Sequence, residues 1–164
     1  MNPNRFTVKV RRKREGKTDF KSRRNLLLAE KPRLVVRKSL KNVWLQLVLY
    51  QAKGDKVITT AHSRELIKHG WKYCRKNIPA AYLTGLLFAQ KAKKAGITHA
   101  VPDMGMLSSV KGSKLYAALW GVKEGGIEVP LDESMRPSND RLHGKHAQPN
   151  MEKSILELKK KVIV

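Results

Sequence analysis

Four consecutive cations at Arg11–Arg14 are the residues of this chain whose chemistry is most specific. With Arg5, Lys9 and Lys17 they place seven positive charges in the first 17 residues, where Glu15 is the only acid. Such a run repels itself and requires a dense polyanion to neutralise it, which means nucleic acid or an acidic membrane surface. Arginine adds bidentate contacts to phosphate and stacking on bases.

The positive charge is concentrated at the N-terminal end of the sequence. The first 41 residues hold 15 Lys and Arg against three Asp and Glu, so they contribute +12 of the formal net charge of +22. Residues 42–110 contribute +7, and residues 111–164 contribute +3. This gradient predicts that the anion is bound mainly through the N-terminal part of the chain.

A second basic group continues along the first predicted strand and the turn after it. It comprises Arg33, Arg37, Lys38 and Lys41. The aromatic residues Trp44 and Tyr50 follow directly, and cations interleaved with rings are typical of surfaces that bind unpaired RNA bases. The alternative, that Trp44 and Tyr50 pack in a core beneath a helix, stays open at this point.

Lys111, Gly112 and Ser113 precede a predicted helix in the manner of a phosphate-binding loop. The order is Lys-Gly-Ser rather than Gly-Lys-Ser, and the glycine spacing before it is not that of a nucleotide-binding loop. We therefore expect Ser113 to cap the helix, with a phosphate of RNA as the alternative occupant of this helix end.

Two histidines near the C-terminus, His143 and His146, lie among the cations Arg141 and Lys145. A metal site needs several ligands at suitable spacing, which this segment and the surroundings of Cys74 do not offer. We therefore assign His143, His146, Arg141 and Lys145 to RNA contact rather than to zinc, and expect neither a metal nor a cofactor.

Catalytic machinery is poorly supported by the sequence. Asp103 is a lone carboxylate after a predicted strand, and we expect it to organise its loop. Paired acids and a Ser/His/Asp order do not stand out. Two rival functions remain: an enzyme acting on RNA or a nucleotide near Asp103 and Lys111, and a basic protein that binds membranes or any polyanion.

Composition indicates one folded domain with a basic extension. The chain has 164 residues, 41% of them hydrophobic, which is enough for a core. A single cysteine excludes an internal disulfide and fits a reducing cytosol. Apolar stretches stay shorter than the roughly 18 residues that span a bilayer, and the charged N-terminus does not resemble a secretory signal.

Three short apolar runs near residues 33–39, 43–50 and 56–61, joined by polar turns, predict an antiparallel meander. In the second run Val43, Leu45, Leu47 and Leu49 should share one face of the strand, and Trp44 and Tyr50 should share the other. A further short strand is predicted at 97–101.

The sequence predicts an extended segment at 1–17 and helices in five further places. A helix capped by Thr18 or Asp19 should end near Lys31, before Pro32. Ser63 should cap a second helix. The others are predicted at 80–95, after Pro79, at 114–123, and at 151–161 with an amphipathic pattern.

These elements predict an α/β fold, a two-layer sandwich with a mostly antiparallel sheet and helices on one face. The other sheet face would stay open as a binding platform. We expect three parts: a basic RNA-binding extension at 1–17, an α/β RNA-binding domain at 18–148, and a short C-terminal helix or tail at 149–164.

Seven segments of the chain resemble one family. They are NRFTVKVRRKREGKTDF at 4–20, KPRLVVRKS at 31–39, AHSREL at 61–66, GW at 70–71, NIPAAYLTGLL at 77–87, GSKLYAALWGVKEGG at 112–126 and RLHGKHA at 141–147. Together they resemble universal family eighteen of large-subunit ribosomal proteins, in its archaeal and eukaryotic form. The chain departs from the family at Pro102, where a proline is expected to weaken a strand.

The resemblance implies a structural, cytoplasmic protein of the ribosome that binds 5S ribosomal RNA (rRNA) in the central protuberance. It also implies contact with 23S rRNA and with neighbouring large-subunit ribosomal proteins, including another 5S-binding protein. Residues carried over from the family as 5S contacts are Arg5, Lys9, Arg11, Arg12, Lys13, Arg14, Thr18, Phe20, Arg23, Arg24, Arg33, Arg37, Lys38 and Ser39. The basic and aromatic pattern adds Lys17, Lys41, Trp44, Lys111, Ser113, Arg141, His143, Lys145 and His146.

Overall fold

The computed structural model describes residues 7–145, 147 and 150–163 of the chain, so the predicted contacts at Arg5 and His146 lie outside the described residues. Its sheet contains β1 (Arg33–Lys38), β2 (Val43–Leu49), β3 (Lys56–His62) and β4 (Val101–Asp103), in the order β3-β2-β1-β4. The first three strands form the predicted antiparallel meander, and β4 pairs with β1 in parallel. The prediction of an α/β fold with a mostly antiparallel sheet is confirmed.

Strand β2 shows the predicted alternation as far as Leu47, after which a register shift against β3 leaves Val48 buried and Leu49 half-buried. Val43, Leu45 and Leu47 are fully buried, whereas Trp44 is half-buried on the opposite face. Tyr50 lies beyond the end of β2 and is 58% exposed, so the two aromatic residues do not share a strand face as expected.

The strand predicted at 97–101 is displaced towards the C-terminus. The Thr98 carbonyl instead accepts from the Glu128 amide at 2.8 Å, and the Ala100 amide donates to the Glu128 carbonyl at 3.0 Å. Strand β4 therefore begins only at Val101, and it includes Pro102. Proline is tolerated because β4 is an edge strand and its missing amide breaks no interior ladder.

Two long helices, α3 (Ile78–Lys94) and α4 (Lys114–Glu124), pack against each other and cover one face of the sheet. The side chain of Asn77 caps α3 by accepting from the Ala80 amide at 2.8 Å, and Pro79 occupies the first turn. Because α3 is covered by the sheet, by α4 and by the C-terminal helix, it is buried on nearly every side.

The predicted amphipathic C-terminal helix is α6 (Met151–Ile163). Met151, Ile155, Leu158 and Val162 are buried against the core, as their spacing predicts. At this interface Tyr82 donates a hydrogen bond to the Glu124 carboxylate, and Lys159 lies 3.2 Å from the same oxygen. Burial, followed by the neighbouring carboxylate, raises the pKa of Tyr82 to about 12.

The N-terminal segment is less extended than predicted, because Arg11–Arg14 form a single helical turn, α1. The next helix, α2 (Phe20–Leu27), is capped by Asp19, whose carboxylate accepts from the Lys21 amide at 3.0 Å. It ends before the predicted Lys31 because the chain reverses at Glu30, which has a left-handed φ of 51°. Neither helix contains a buried residue.

The 3-10-helical turn at Ser63–His69 begins one residue earlier than expected. The imidazole Nδ1 of His62, rather than Ser63, accepts from the Arg64 amide at 3.0 Å. Ser63 is fully buried, and its hydroxyl accepts instead from the Val43 amide at 3.1 Å. A four-residue helix, α5 (Asn139–Leu142), lies between α4 and α6. Along the described parts of the chain, no helix is long and apolar enough to cross a membrane.

Candidate nucleic-acid interface

The sheet face that points away from α3 and α4 carries the candidate interface. Its side chains form three rows across β1, β2 and β3: Arg37, Trp44 and His62; Val35, Gln46 and Thr60; and Arg33, Val48 and Val57. We call these nine residues the open face, although Arg33 and Val48 in the third row are buried, so the face is only partly open as predicted. Asp103 of β4 lies beside Val35 at its edge.

A chain of ion pairs crosses this face. Arg33 lies 2.9 Å from Asp103 and 2.6 Å from Asp55, Arg23 lies 2.8 Å from Asp55, and Arg37 lies 3.2 Å from Asp103. Arg33 is only 3% exposed, so its charge is committed to the two carboxylates. It therefore positions the face instead of offering a free cation to phosphate, which differs from its predicted role.

Asp103 also accepts from the Gly105 amide at 2.9 Å, which fits the loop-organising role expected of it. Asp55 is not among the functional residues that the sequence predicts. In the sequence Asp55 is marked only as part of a Gly-Asp turn between two strands. Its ion-pair partner Arg33 lies 22 residues away, so the pairing is not visible in the sequence.

The open face and the basic extension enclose one chamber of about 430 Å3. The predicted site residues that line it are Arg12, Lys17, Thr18, Arg23, Arg33 and Arg37. The Arg12 guanidinium donates to the Thr18 hydroxyl at 2.8 Å, which ties α1 to the start of α2. Residues separated by more than 20 positions in sequence are thus brought to one site.

Among the described residues 7–17 of the extension, most cations have no carboxylate to neutralise them. Glu15 pairs with Arg11 and Lys17, each at 2.7 Å. The hydrogen bond from Lys17, followed by that from Arg11, holds the pKa of Glu15 below its ordinary value. In the described segment, Lys9, Arg12, Lys13 and Arg14 are exposed, and none pairs with an acid. Arg24 and the 40%-exposed Phe20 extend this exposed surface along α2.

The turn between β1 and β2 presents the cations Lys38 and Lys41, both exposed. Ser39, also a predicted contact, has its hydroxyl occupied within the turn, where it accepts from the Asn42 amide at 3.0 Å. Leu40 at the tip is 86% exposed. The two lysines are therefore the groups of this turn that are available to phosphate.

The remaining predicted contacts lie away from the open face. Lys38, Ser113 and Arg141 line a depression of about 370 Å3 at the start of α4. Ser113 occupies the N-cap position as predicted, but its hydroxyl makes no capping hydrogen bond and is buried without a partner in the described structure. Lys111 is exposed in the preceding loop.

Lys145 pairs with Asp140 at 3.4 Å and with Glu152 at 3.6 Å, so its charge is largely neutralised within the protein. His143 is half-buried after α5. Among the described residues, no group of three or more His, Cys, Asp or Glu side chains is arranged to hold a metal ion.

Trp44 stacks on a residue that was not among the predicted contacts. Its ring is nearly parallel to that of His62, at an interplanar angle of 9° with centroids 6.1 Å apart. Burial, the largest cause, lowers the pKa of His62, and nearby Arg75 and Arg64 lower it further while Glu65 opposes them. His62 is therefore neutral near pH 7. Its position opposite Trp44 follows from strand register, which the sequence alone does not specify.

Removing the charge of Asp103 should destabilise the fold. We expect Asp103→Asn to lower the free energy of unfolding by about 2 kcal/mol, because Arg33 would stay buried with one carboxylate fewer. Asp55→Asn is the matched control, since Asp55 is the more exposed partner of Arg33, and its loss should cost about half as much. Urea denaturation measures both; an equal or larger loss for Asp55→Asn would contradict this assignment.

A family profile described as "Ribosomal large subunit proteins 60S L5, and 50S L18" matches residues 4–100. The chain belongs to this family. Its relatives include the large ribosomal subunit protein uL18 of Korarchaeum cryptofilum, which is 50% identical over 91% of this chain and 76% of its own length. The uL18 proteins of Methanoregula boonei and Methanococcus maripaludis are 47% and 48% identical, over 92% and 87% of this chain and 86% and 74% of their own lengths.

Membership of this family decides between the function classes that the sequence left open. The protein is a structural component of the large ribosomal subunit in the cytoplasm and not an enzyme. The alternative of a catalytic site near Asp103 and Lys111 is wrong. Asp103 is 6% exposed and bound to two arginines, which fits the loop-organising role expected of it.

Proposed function

We propose that this protein binds 5S rRNA and helps attach it to 23S rRNA in the central protuberance of the large subunit. One observation carries the proposal: the basic extension meets the open face of the sheet at one chamber, which Arg12 and Lys17 of the extension line together with Arg33 and Arg37 of the sheet. Such an arrangement suits RNA, whose phosphates require cations and whose unpaired bases require flat polar or aromatic surfaces.

The two parts of the interface contribute differently. Exposed cations such as Lys9, Lys13 and Arg14 neutralise phosphates, which gives affinity and strong salt dependence. The open face is held rigid by the ion pairs of Arg33, so it presents a fixed shape to the RNA. Lys38, Ser113 and Arg141 lie on another side and are candidates for 23S rRNA or a neighbouring ribosomal protein, including the other 5S-binding protein.

Binding to 5S rRNA in competition with excess transfer RNA, across a series of salt concentrations, tests the proposal. We expect selective binding to 5S rRNA that persists at moderate salt, because a rigid face discriminates RNA shapes. We also expect affinity to fall about a thousandfold between 50 and 200 mM salt if roughly six phosphates are neutralised. Equal binding to both RNAs at every salt concentration would contradict recognition of 5S rRNA.

A further inference from the structure

The Trp44 and His62 rings form a flat aromatic surface at the end of the open face. Neither ring belongs to the core beneath α3 and α4, and both are half-buried. Val43, Leu45 and Leu47 supply the buried face of strand β2, so Trp44 does not contribute to it. A tryptophan left half-exposed beside basic side chains is typical of a stacking site for nucleic acid.

Trp44 is half-buried, and the guanidinium of its cross-strand neighbour Arg37 is bound away from its ring. His62 stacks from the β3 side. Arg37 is the cross-strand neighbour on the β1 side, but its guanidinium is directed towards β4, where it donates to the Asp103 carbonyl at 2.8 Å. A Cβ on Gly105 would lie 2.9 Å from Arg37 Cζ, which shows how closely the guanidinium lies against that loop.

Two exposed cations lie beside the His62 end of this surface. Arg64 and Lys68 are exposed and line a shallow depression of about 710 Å3 next to His62, together with the half-exposed Ile67. Glu65 also lines it, but Lys91 pairs with that carboxylate. The charge balance favours an anionic polymer over an acidic or neutral partner.

The neutral state of His62 suits stacking. Its Nδ1 accepts from the Arg64 amide, so the proton of the neutral ring is on Nε2, where it can donate to a base or a ribose. Both rings then contribute π surface without adding a charge that needs its own counterion.

We propose that Trp44, backed by His62, is a stacking platform for one unpaired nucleobase of the bound rRNA, with Arg64 and Lys68 contacting the flanking phosphates. The proposal rests on the RNA-binding function proposed above and assigns His62, Arg64 and Lys68 to the interface. The base stacks on the side of Trp44 opposite His62, and its identity is not constrained, because every base has a π face.

Tryptophan fluorescence of the full-length protein with a 5S rRNA transcript tests this directly. Trp71 and Trp120 are 3% and 7% exposed, so emission accessible to acrylamide comes mainly from Trp44. We expect RNA to quench the Trp44 emission and to protect the remainder from acrylamide. Bound RNA that leaves both the intensity and the acrylamide quenching unchanged would overturn the platform.

Substitutions give the energetic test. We expect Trp44→Leu to weaken 5S rRNA binding about tenfold and Trp44→Phe to weaken it no more than about threefold, since a ring is retained. His62→Asn keeps an acceptor for the Arg64 amide while removing the ring, and it should weaken binding about threefold. Tyr50→Ala is the matched control, because Tyr50 is an exposed aromatic residue outside the open face.

The outcomes separate this proposal from the function on which it rests. If wild-type protein binds 5S rRNA selectively and Trp44→Leu binds equally well, the platform is wrong and the function stands. If wild-type protein does not bind 5S rRNA selectively, both fail. If Trp44→Leu lowers the melting temperature, the fluorescence of the wild-type protein decides the question without any variant.

Discussion

A protein that lacks residues 1–17 should keep its melting temperature and lose about a thousandfold in affinity for 5S rRNA at 100 mM salt. The removed segment carries seven Lys and Arg and one Glu. Within its described part, residues 7–17, every side chain is exposed, and the ion pairs of Glu15 are internal to the segment. The folded domain therefore loses little when the segment is removed, while the interface loses seven cations that can contact phosphate.

Charge and chain length can be separated with a second variant. Replacing Arg11, Arg12, Lys13 and Arg14 by Gln keeps the length of the extension and removes four cations. Each phosphate contact contributes about 0.7–0.9 to the slope of log affinity against log salt, so this variant should reduce the slope by about three. Filter binding across a salt series measures both quantities.

Two outcomes would contradict this account of the extension. Unchanged affinity in the truncated protein would assign RNA binding to the open face and the β1–β2 turn alone. A fall in the melting temperature of several degrees would mean that contacts such as Arg12 to Thr18 hold the domain together. In that case the boundary between extension and domain would lie nearer the N-terminus than residue 17.

The parts of the fold that the sequence predicts well are those set by local periodicity. Strand β2 alternates because Val43, Leu45 and Leu47 face one layer of helices, and α6 is amphipathic because it packs on one side only. Errors arise where a distant partner competes for a backbone group. Thr98 is bound to Glu128 instead of to β1, and Ser63 is occupied by the Val43 amide, so His62 caps the turn.

The candidate interface divides in the same way. Composition alone predicts the basic extension. A run of like charges such as Arg11–Arg14 cannot pack in a core, so it must face solvent or an anion. Composition does not show that Arg33 is buried between Asp55 and Asp103 or that Trp44 meets His62. These contacts depend on strand register and on long-range pairing, which a single sequence specifies only through the complete fold.

Gly85→Ala should lower the free energy of unfolding by about 3 kcal/mol, although alanine is the better helix former by about 1 kcal/mol. The reason is the close crossing of α3 and α4. A Cβ on Gly85 would overlap the carbonyl oxygen of Ala118 and lie 3.0 Å from the Gly121 Cα, so neither neighbour is a side chain that can rotate away. The helices would have to separate, and the buried layer around them would lose its packing.

The direction of the change in stability distinguishes two causes. Helix propensity alone predicts that Gly85→Ala is stabilising, whereas packing at the crossing predicts that it is destabilising. Gly121→Ala places a Cβ against the Tyr82 carbonyl from the other helix and should be destabilising by a similar amount. The matched control compares Lys93→Gly with Lys93→Ala, at an exposed position in the same helix. There the alanine variant should be the more stable of the two. Chemical denaturation measures all of these variants.

Gly85→Val should go further and reduce stability by about 5 kcal/mol, because it adds a branched side chain at the same crossing. A protein in which Gly85→Ala is neutral or stabilising would show that α3 and α4 can move apart at little cost. The sheet would then not depend on a rigid pair of helices beneath it. The open face would then not have a fixed shape, and selectivity for one RNA would have to come from the extension.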